Sequence, residues 1–181
     1  TARIWDARNG KLLCAPIKHE GWVGVGQFSP DGSSVQTLAE GHSVRQWDAH
    51  PGQARCAVRA HTGAAVNSAR FQPEGESVVV ASGDGTATLW NLRTSQQRIK
   101  PMRHRRNVVT AEFSPNGHQI LTASWDTTAH LWDAATGEPV GEPMQHATAV
   151  VSAVFSRDGS LVATMSDDNN VHVWDSRGHP T

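Results

Sequence analysis

Ten histidines in 181 residues, three of them in step with a serine and an aspartate, raise two chemical readings. The sets are His61, Ser82 and Asp84, then His104, Ser124 and Asp126, then His146, Ser166 and Asp168. Each has the residue types of a hydrolytic triad, in which a histidine activates a serine and an aspartate orients the histidine. A catalytic constellation is normally unique, and one repeated three times reads as a structural motif instead. The second reading, zinc, needs about four ligands converging at roughly 2.0–2.3 Å. These histidines are separated by whole repeat lengths, so the sequence predicts no catalytic residue, no cofactor and no metal. The glycine-rich Gly83-Asp84-Gly85 lacks the strand–loop–helix setting of a phosphate cradle and reads as a turn.

The elements that position these residues follow from a repeat. Trp followed by Asp or Asn occurs at Trp5, Trp47, Trp90, Trp132 and Trp174, a period of about 42 residues. A second column begins at Phe28, Phe71, Phe113 and Phe155, each opening a Phe-x-x-x-Gly turn at one fixed distance before its tryptophan. A third is His19, His61, His104 and His146, set before the same tryptophans at a spacing that varies by a single position. Within one unit the signals are those of strands. Residues Val66 to Phe71 alternate, Val78 to Ala81 form a buried run, Thr86 to Leu92 carry Trp90, and a weaker outer strand is expected from Gln97 to Met102. Four antiparallel strands in a unit of this length cannot cover both of their faces alone, so the units must stack, and radial stacking makes a propeller.

In these columns the chain resembles the WD-repeat family over essentially its whole length. The resemblance implies an all-β propeller of four-stranded blades, about four of them and 17 strands. The expected bounds are a partial blade at 1–18, blades near 19–60, 61–103 and 104–145, and a final blade at 146–181 lacking its outer strand. It also implies a polar tetrad in each blade: His61, Ser82, Asp84 and Trp90; His104, Ser124, Asp126 and Trp132; His146, Ser166, Asp168 and Trp174. In the remaining blade Ala39 and Gly41 stand at the serine and aspartate positions beside His19 and Trp47, so that blade is expected to be the softest. His130 and His172 fall in a variable polar register shared with Arg3, Arg45 and Thr88.

Two tryptophans lie outside the repeated column and point toward function. Trp22 follows His19, in a register held elsewhere by Ala65, Asn107 and Ala149. Trp125 sits between Ser124 and Asp126, in a register held by Glu40, Gly83 and Asp167. Large aromatics at exposed turns are frequent interface anchors. The expected partner-binding residues are Trp22, Glu40, Asn107, Trp125 and Asp167, with a basic lip of Arg103, Arg105 and Arg106. That lip belongs to a cluster with Arg98 and Lys100 suited to an acidic or phosphorylated partner segment.

A net charge of −1 excludes the basic footprint of a general nucleic-acid binder, and no apolar run approaches the roughly 18 residues of a bilayer-spanning helix. Cys14 and Cys56, one repeat apart at equivalent positions, are expected to be reduced thiols of a cytoplasmic protein. The sequence opens on Thr1, inside a repeat, which predicts a piece of a longer chain from a seven- or eight-bladed ring. The blade ends are then covered by neighbouring blades of that chain, or by a second copy that completes an eight-bladed ring. The leading function is a non-catalytic scaffold for other proteins or peptides, with no nucleic acid and no membrane. The competing one is the regulatory or sensor part of a larger kinase or nucleotide-switch protein.

Overall fold

The computed structural model describes residues 1–19, 23–39, 43–49, 54–58 and 64–181, with backbone alone at 25, 39, 43 and 54–58. Among the described residues fifteen strands form four antiparallel sheets. The first holds β1 (Val23–Phe28), β2 (Ser34–Ala39), β3 (Ser43–Asp48) and β4 (Ala54–Val58). The second holds β5 (Val66–Phe71), β6 (Ser77–Ser82), β7 (Thr86–Asn91) and β8 (Met102–Arg103). The third holds β9 (Val108–Phe113), β10 (Gln119–Ser124), β11 (Thr128–Asp133) and β12 (Pro139–Gln145). The fourth holds β13 (Val150–Phe155), β14 (Leu161–Ser166) and β15 (Val171–Asp175). Consecutive strands pair in each sheet. The first strands β1, β5, β9 and β13 approach one another along the series, so the sheets fan out as blades.

Two expected strands take a different form. The N-terminal pair is joined through the isolated bridges Ala2 to Ile17 and Trp5 to Leu12 rather than as full strands. The outer strand expected at Gln97 to Met102 shortens to β8, with one bridge between Trp90 and Gln97. Pro101 has no N–H to give to the ladder there, which suits an interrupted edge.

The cores lie between blades, because each sheet is apolar on both faces. Leu38 and Val44 pack with Val66, Phe71, Val78 and Val80. Val79, Ala81, Ala87 and Leu89 on the other face of the second blade pack with Val108, Phe113, Ile120 and Trp132. Leu121, Ala123, Ala129 and Leu131 then meet Val150, Ala153, Val162 and Trp174. Strands sandwiched this way are buried along their length, as β6 is at all six positions. Burying a side chain such as Val79 stabilises by about 1.5–3 kcal/mol.

The fourth blade has one covered face and one bare one. Met165, Val171 and Val173 are 47%, 60% and 41% exposed, although their repeat equivalents Ala123, Ala129 and Leu131 are buried under the next sheet. At the other end Trp5 and Phe28 are more than half exposed, whereas Phe71 and Phe113 are buried.

Turns at one end of the blades repeat a device read in the Phe column. The Ser29 hydroxyl donates to Asp31 and accepts from the Ser34 amide, the Asp31 carboxylate accepts from the Ser33 amide, and Gly32 takes φ +69°. An aspartate side chain that caps its own turn in this way is characteristic of tight loops. Those donors hold Asp31 down at about 2, and Ser156 and Ser160 do the same for Asp158.

Candidate partner-binding face

The end of the blades opposite these turns carries His19, His104 and His146, and the third blade shows the full relay. The Trp132 indole N–H donates to Thr122 Oγ1 at 2.8 Å, and Thr122 Oγ1 lies 2.7 Å from His104 Nε2. His104 Nδ1 lies 3.0 Å from Asp126 Oδ2. The bonds close consistently if Nδ1–H donates to the carboxylate and the threonine hydroxyl donates to Nε2, which makes the imidazole neutral. Burial pushes the His104 pKa down, against the opposing pull of Asp126. Burial by itself would raise Asp126, but donors from the Thr128 hydroxyl, the Arg105 amide and His104 bring it to about 2.

The hydroxyl in this relay corrects the expectation from the sequence. It comes from Thr122, not from Ser124, because alternation along β10 turns residues 122 and 124 to one face and only the first lies within reach of both rings. Ser124 instead accepts from the Asp126 amide and donates to the Arg106 carbonyl, tying the β10–β11 turn. Thr164 repeats the role in the fourth blade, bonding Trp174 Nε1 at 2.8 Å and His146 Nε2 at 3.0 Å, while Ser166 donates to Asp168. There His146 Nδ1 is buried without a partner, and Asp168 turns outward to Ser166 and the Asn170 amide. The first blade also has the threonine: Thr37 Oγ1 lies 2.8 Å from both Trp47 Nε1 and His19 Nε2. Ala39 therefore removes no hydroxyl from the relay, and Gly41, at the aspartate position, lies outside the described residues. The second blade is the one without the hydroxyl, because Val80 occupies the register. Trp90 Nε1 turns to Thr88 Oγ1 at 2.9 Å, and Ser82 Oγ and Asp84 cap the turn. His61 lies outside the described residues. The missed residues had a signal in the sequence, since Thr37, Thr122 and Thr164 each stand at one fixed spacing before their tryptophan.

His130 and His172 are packing groups of this layer. His130 stacks on Trp132 at 5.2 Å and 16° and meets His104 edge-on at 4.7 Å. Burial, and then the electrostatic cost of placing a proton beside a second imidazole, His104, lowers His130 to about 4. Among the described residues no three His, Cys, Asp or Glu side chains converge as a metal centre would require.

Two registers read as partner-binding meet at this end. The Trp125 amide donates to the Asn107 carbonyl at 3.0 Å, the Asp167 amide to the Ala149 carbonyl at 2.9 Å, and the Gly83 amide to the Ala65 carbonyl at 2.8 Å. Each turn is thus tied to the start of its blade's first strand. Trp125 is 50% exposed and Asp167 is exposed. The Asn107 side-chain oxygen accepts from Asn67 Nδ2, which also reaches the Val108 carbonyl at 2.7 Å. Trp22 and Glu40 lie outside the described residues.

Arg103, Arg105 and Arg106 are all exposed, and among the described residues no carboxylate pairs with their side chains. Arg98 is tied to Ser77 and Gln72 instead. Arg103 and Arg105 line a cavity of about 320 Å³ at the rim between the second and third blades, with Thr127, Thr128, Pro143 and Gln145. A larger cavity of about 550 Å³, around Gln46, Glu76, Asn91 and Arg93, lies at the opposite end and holds none of these residues. Cys14 is half-buried and unpaired, and the side chain of Cys56 lies outside the described residues.

Comparison with known proteins agrees with this architecture. The sequence model of the family "WD domain, G-beta repeat" matches residues 52–91, 96–133 and 137–175. A stretch of 94 residues, 52% of this chain, is 32% identical to the periodic tryptophan protein 2 homolog of Schizosaccharomyces pombe, and that stretch spans 11% of the relative's length. The repeated tryptophans, the stacked four-stranded sheets and the matched repeats together place this chain in the WD domain, G-beta repeat family.

Proposed function

We propose that this chain is a non-catalytic platform that binds other proteins through the turn-bearing end around Trp125, Asn107 and Asp167. The observation that carries the reading is the setting of Trp125. Its backbone is locked to Asn107 while half of its surface remains in water. An aromatic group held rigidly and left exposed loses little entropy when a partner covers it, which is what an anchor needs. The unpaired arginines beside it favour an acidic partner segment. Against catalysis stands the use of the histidines: in the third and fourth blades they are spent on threonine and tryptophan in the fold itself.

The test is capture of partners from an extract by the full chain and by Trp125→Ala, with folding checked by circular dichroism. Loss of partners from the folded variant is expected, corresponding to about 2 kcal/mol or more for an anchor. Equal capture by both proteins refutes the reading.

The bare face of the fourth blade supports a second, compatible proposal. Met165, Val171 and Val173 repeat positions that elsewhere receive the next blade, so a further blade, from a longer chain or a second copy, covers them. Light scattering of the 181-residue chain is expected to reveal self-association that Val171→Lys abolishes. A monodisperse monomer at micromolar concentration would overturn this.

A further inference from the structure

In a repeat protein the parts required by the fold recur, so an unrepeated cluster of charge is not explained by the fold. From Gly85 to Ala111 the chain has six arginines and lysines and no acid. Arg103, Arg105 and Arg106 flank the His104 column, yet the next blade junction has Gln145, Ala147 and Thr148 in those registers, and the preceding one has Ala60, Thr62 and Gly63. Nothing in the blade architecture calls for three cations there, and their self-repulsion costs stability unless an anion offsets it.

We propose, resting on the platform reading above, that the rim cavity between the second and third blades is a receptor for a phosphorylated side chain of a partner protein. Arg103 and Arg105 clamp the phosphate in this site, and Thr127 donates a further hydrogen bond. The cavity has the donors for it. Gln145 Nε2 donates to Thr127 Oγ1 at 2.8 Å, which occupies an acceptor site of that oxygen and leaves its hydrogen uncommitted. A phosphate offers three acceptor oxygens and close to two charges, so it satisfies two guanidiniums and a hydroxyl where one carboxylate does not.

Thr127 is also held at φ +74°, in the register filled by Gly85 and Asn169. A β-branched residue is strained in that conformation, and such strain gathers at ligand sites. The one carboxylate lining the cavity, Asp126, is 7% exposed and accepts from His104, the Arg105 amide, and the amide and hydroxyl of Thr128. Its charge is directed into the blade rather than into the cavity. A nucleic-acid backbone is disfavoured, since the basic charge is confined to one junction of a chain whose net charge is −1.

The experiment is fluorescence anisotropy of the full chain with a labelled randomised peptide library carrying one fixed phosphoserine. The same library with serine or with glutamate, a single-stranded oligonucleotide, and inorganic phosphate as competitor complete the set. The phosphoserine library is expected to bind at least tenfold more tightly than the other two libraries, and inorganic phosphate to compete. Arg105→Gln and Arg103→Gln should each weaken it about tenfold or more, and Lys100→Gln, outside the cavity, less than twofold. Equal binding of the three libraries overturns the proposal, as does an equal effect of Lys100→Gln and Arg105→Gln, or tighter binding of the oligonucleotide. If the arginine variants capture partners normally while Trp125→Ala does not, the phosphate receptor fails and the platform reading stands.

Discussion

Replacing Thr122 by valine tests the relay at its centre with almost no change of shape. The hydroxyl is fully buried, Trp132 is 7% exposed, and the His104 side chain has no exposure. Valine leaves the indole N–H and the imidazole Nε2 without partners in a site water does not reach. An unmet buried polar group costs about 1–3 kcal/mol, so Thr122→Val should destabilise by about 2–4 kcal/mol. Ser124→Ala, the change the sequence would have singled out, removes contacts at a turn and should cost about 1 kcal/mol. The second blade supplies a built-in rescue: there valine stands in this register and the indole turns to Thr88. His130 occupies the Thr88 position of the third blade, so Thr122→Val with His130→Thr should regain about 1 kcal/mol by giving Trp132 its alternative acceptor. Urea unfolding followed by tryptophan fluorescence, with hydrogen exchange to localise the effect, measures all four proteins. A Ser124→Ala penalty equal to or above that of Thr122→Val would refute the assignment of the bridging hydroxyl.

Acid should destabilise the chain in two stages. His130 titrates near 4 in the fold against an ordinary 6.5, so the unfolded chain takes up protons first and stability falls as the pH drops below about 6.5. The loss from this residue by pH 5 should be about 1–2 kcal/mol after allowing for solvent screening, and His130→Gln should flatten that part of a pH series of urea midpoints. Asp126, held at about 2, adds a further loss below about 3.8. Gly141→Ala should cost about 2 kcal/mol more than Gly32→Ala by thermal unfolding, since both have φ near +70° but only at Gly141 would a Cβ strike the Arg177 carbonyl. Amides around Leu38 and Trp47 should exchange faster than those around Ala123 and Trp132, because glycine stands at position 41, where the third blade has the Asp126 carboxylate. Equal protection would show that the carboxylate contributes nothing.

The blades were legible in the sequence because one spacing repeats in three independent columns, and strand alternation within a repeat leaves one register. Strand edges at the periphery were less so: whether Gln97 to Met102 pairs depends on Pro101 and on a neighbour across the edge, neither of which changes the apolar pattern. The tetrad was placed two positions late. Ala39 interrupts the column of Ser82, Ser124 and Ser166 just as Val80 interrupts that of Thr37, Thr122 and Thr164, so regularity could not single out the bridging hydroxyl. Period-two alternation puts both on one face, and only distance separates them. Trp125 stands out in the sequence as an aromatic outside its column, and Asn107 only as the third blade's residue in the Trp22 register. That one turn ties them together is a matter of backbone geometry. The cavity around Arg103, Arg105, Thr127 and Gln145 draws on two blades, and Gln145 carries no mark of its own in the sequence.

Side chains also join neighbouring blades across their junctions, and equivalent positions are not used alike from one junction to the next. Gln36 Nε2 donates to the Ala69 carbonyl, Ser68 Oγ accepts from the Ala111 amide, and Glu112 Oε1 accepts from the Phe155 amide at 2.8 Å. Burial raises the Glu112 pKa, and the Phe155 amide and Arg70 work against that rise. The positions equivalent to Glu112 hold Gln27, Arg70 and Val154. Repeats of nearly equal length are therefore not interchangeable parts: a blade moved to another place would bring an arginine or a valine to a backbone amide that expects a carboxylate. The order of the blades is written into their contacts, and a gene that shuffled these repeats would have to rewrite each seam with them.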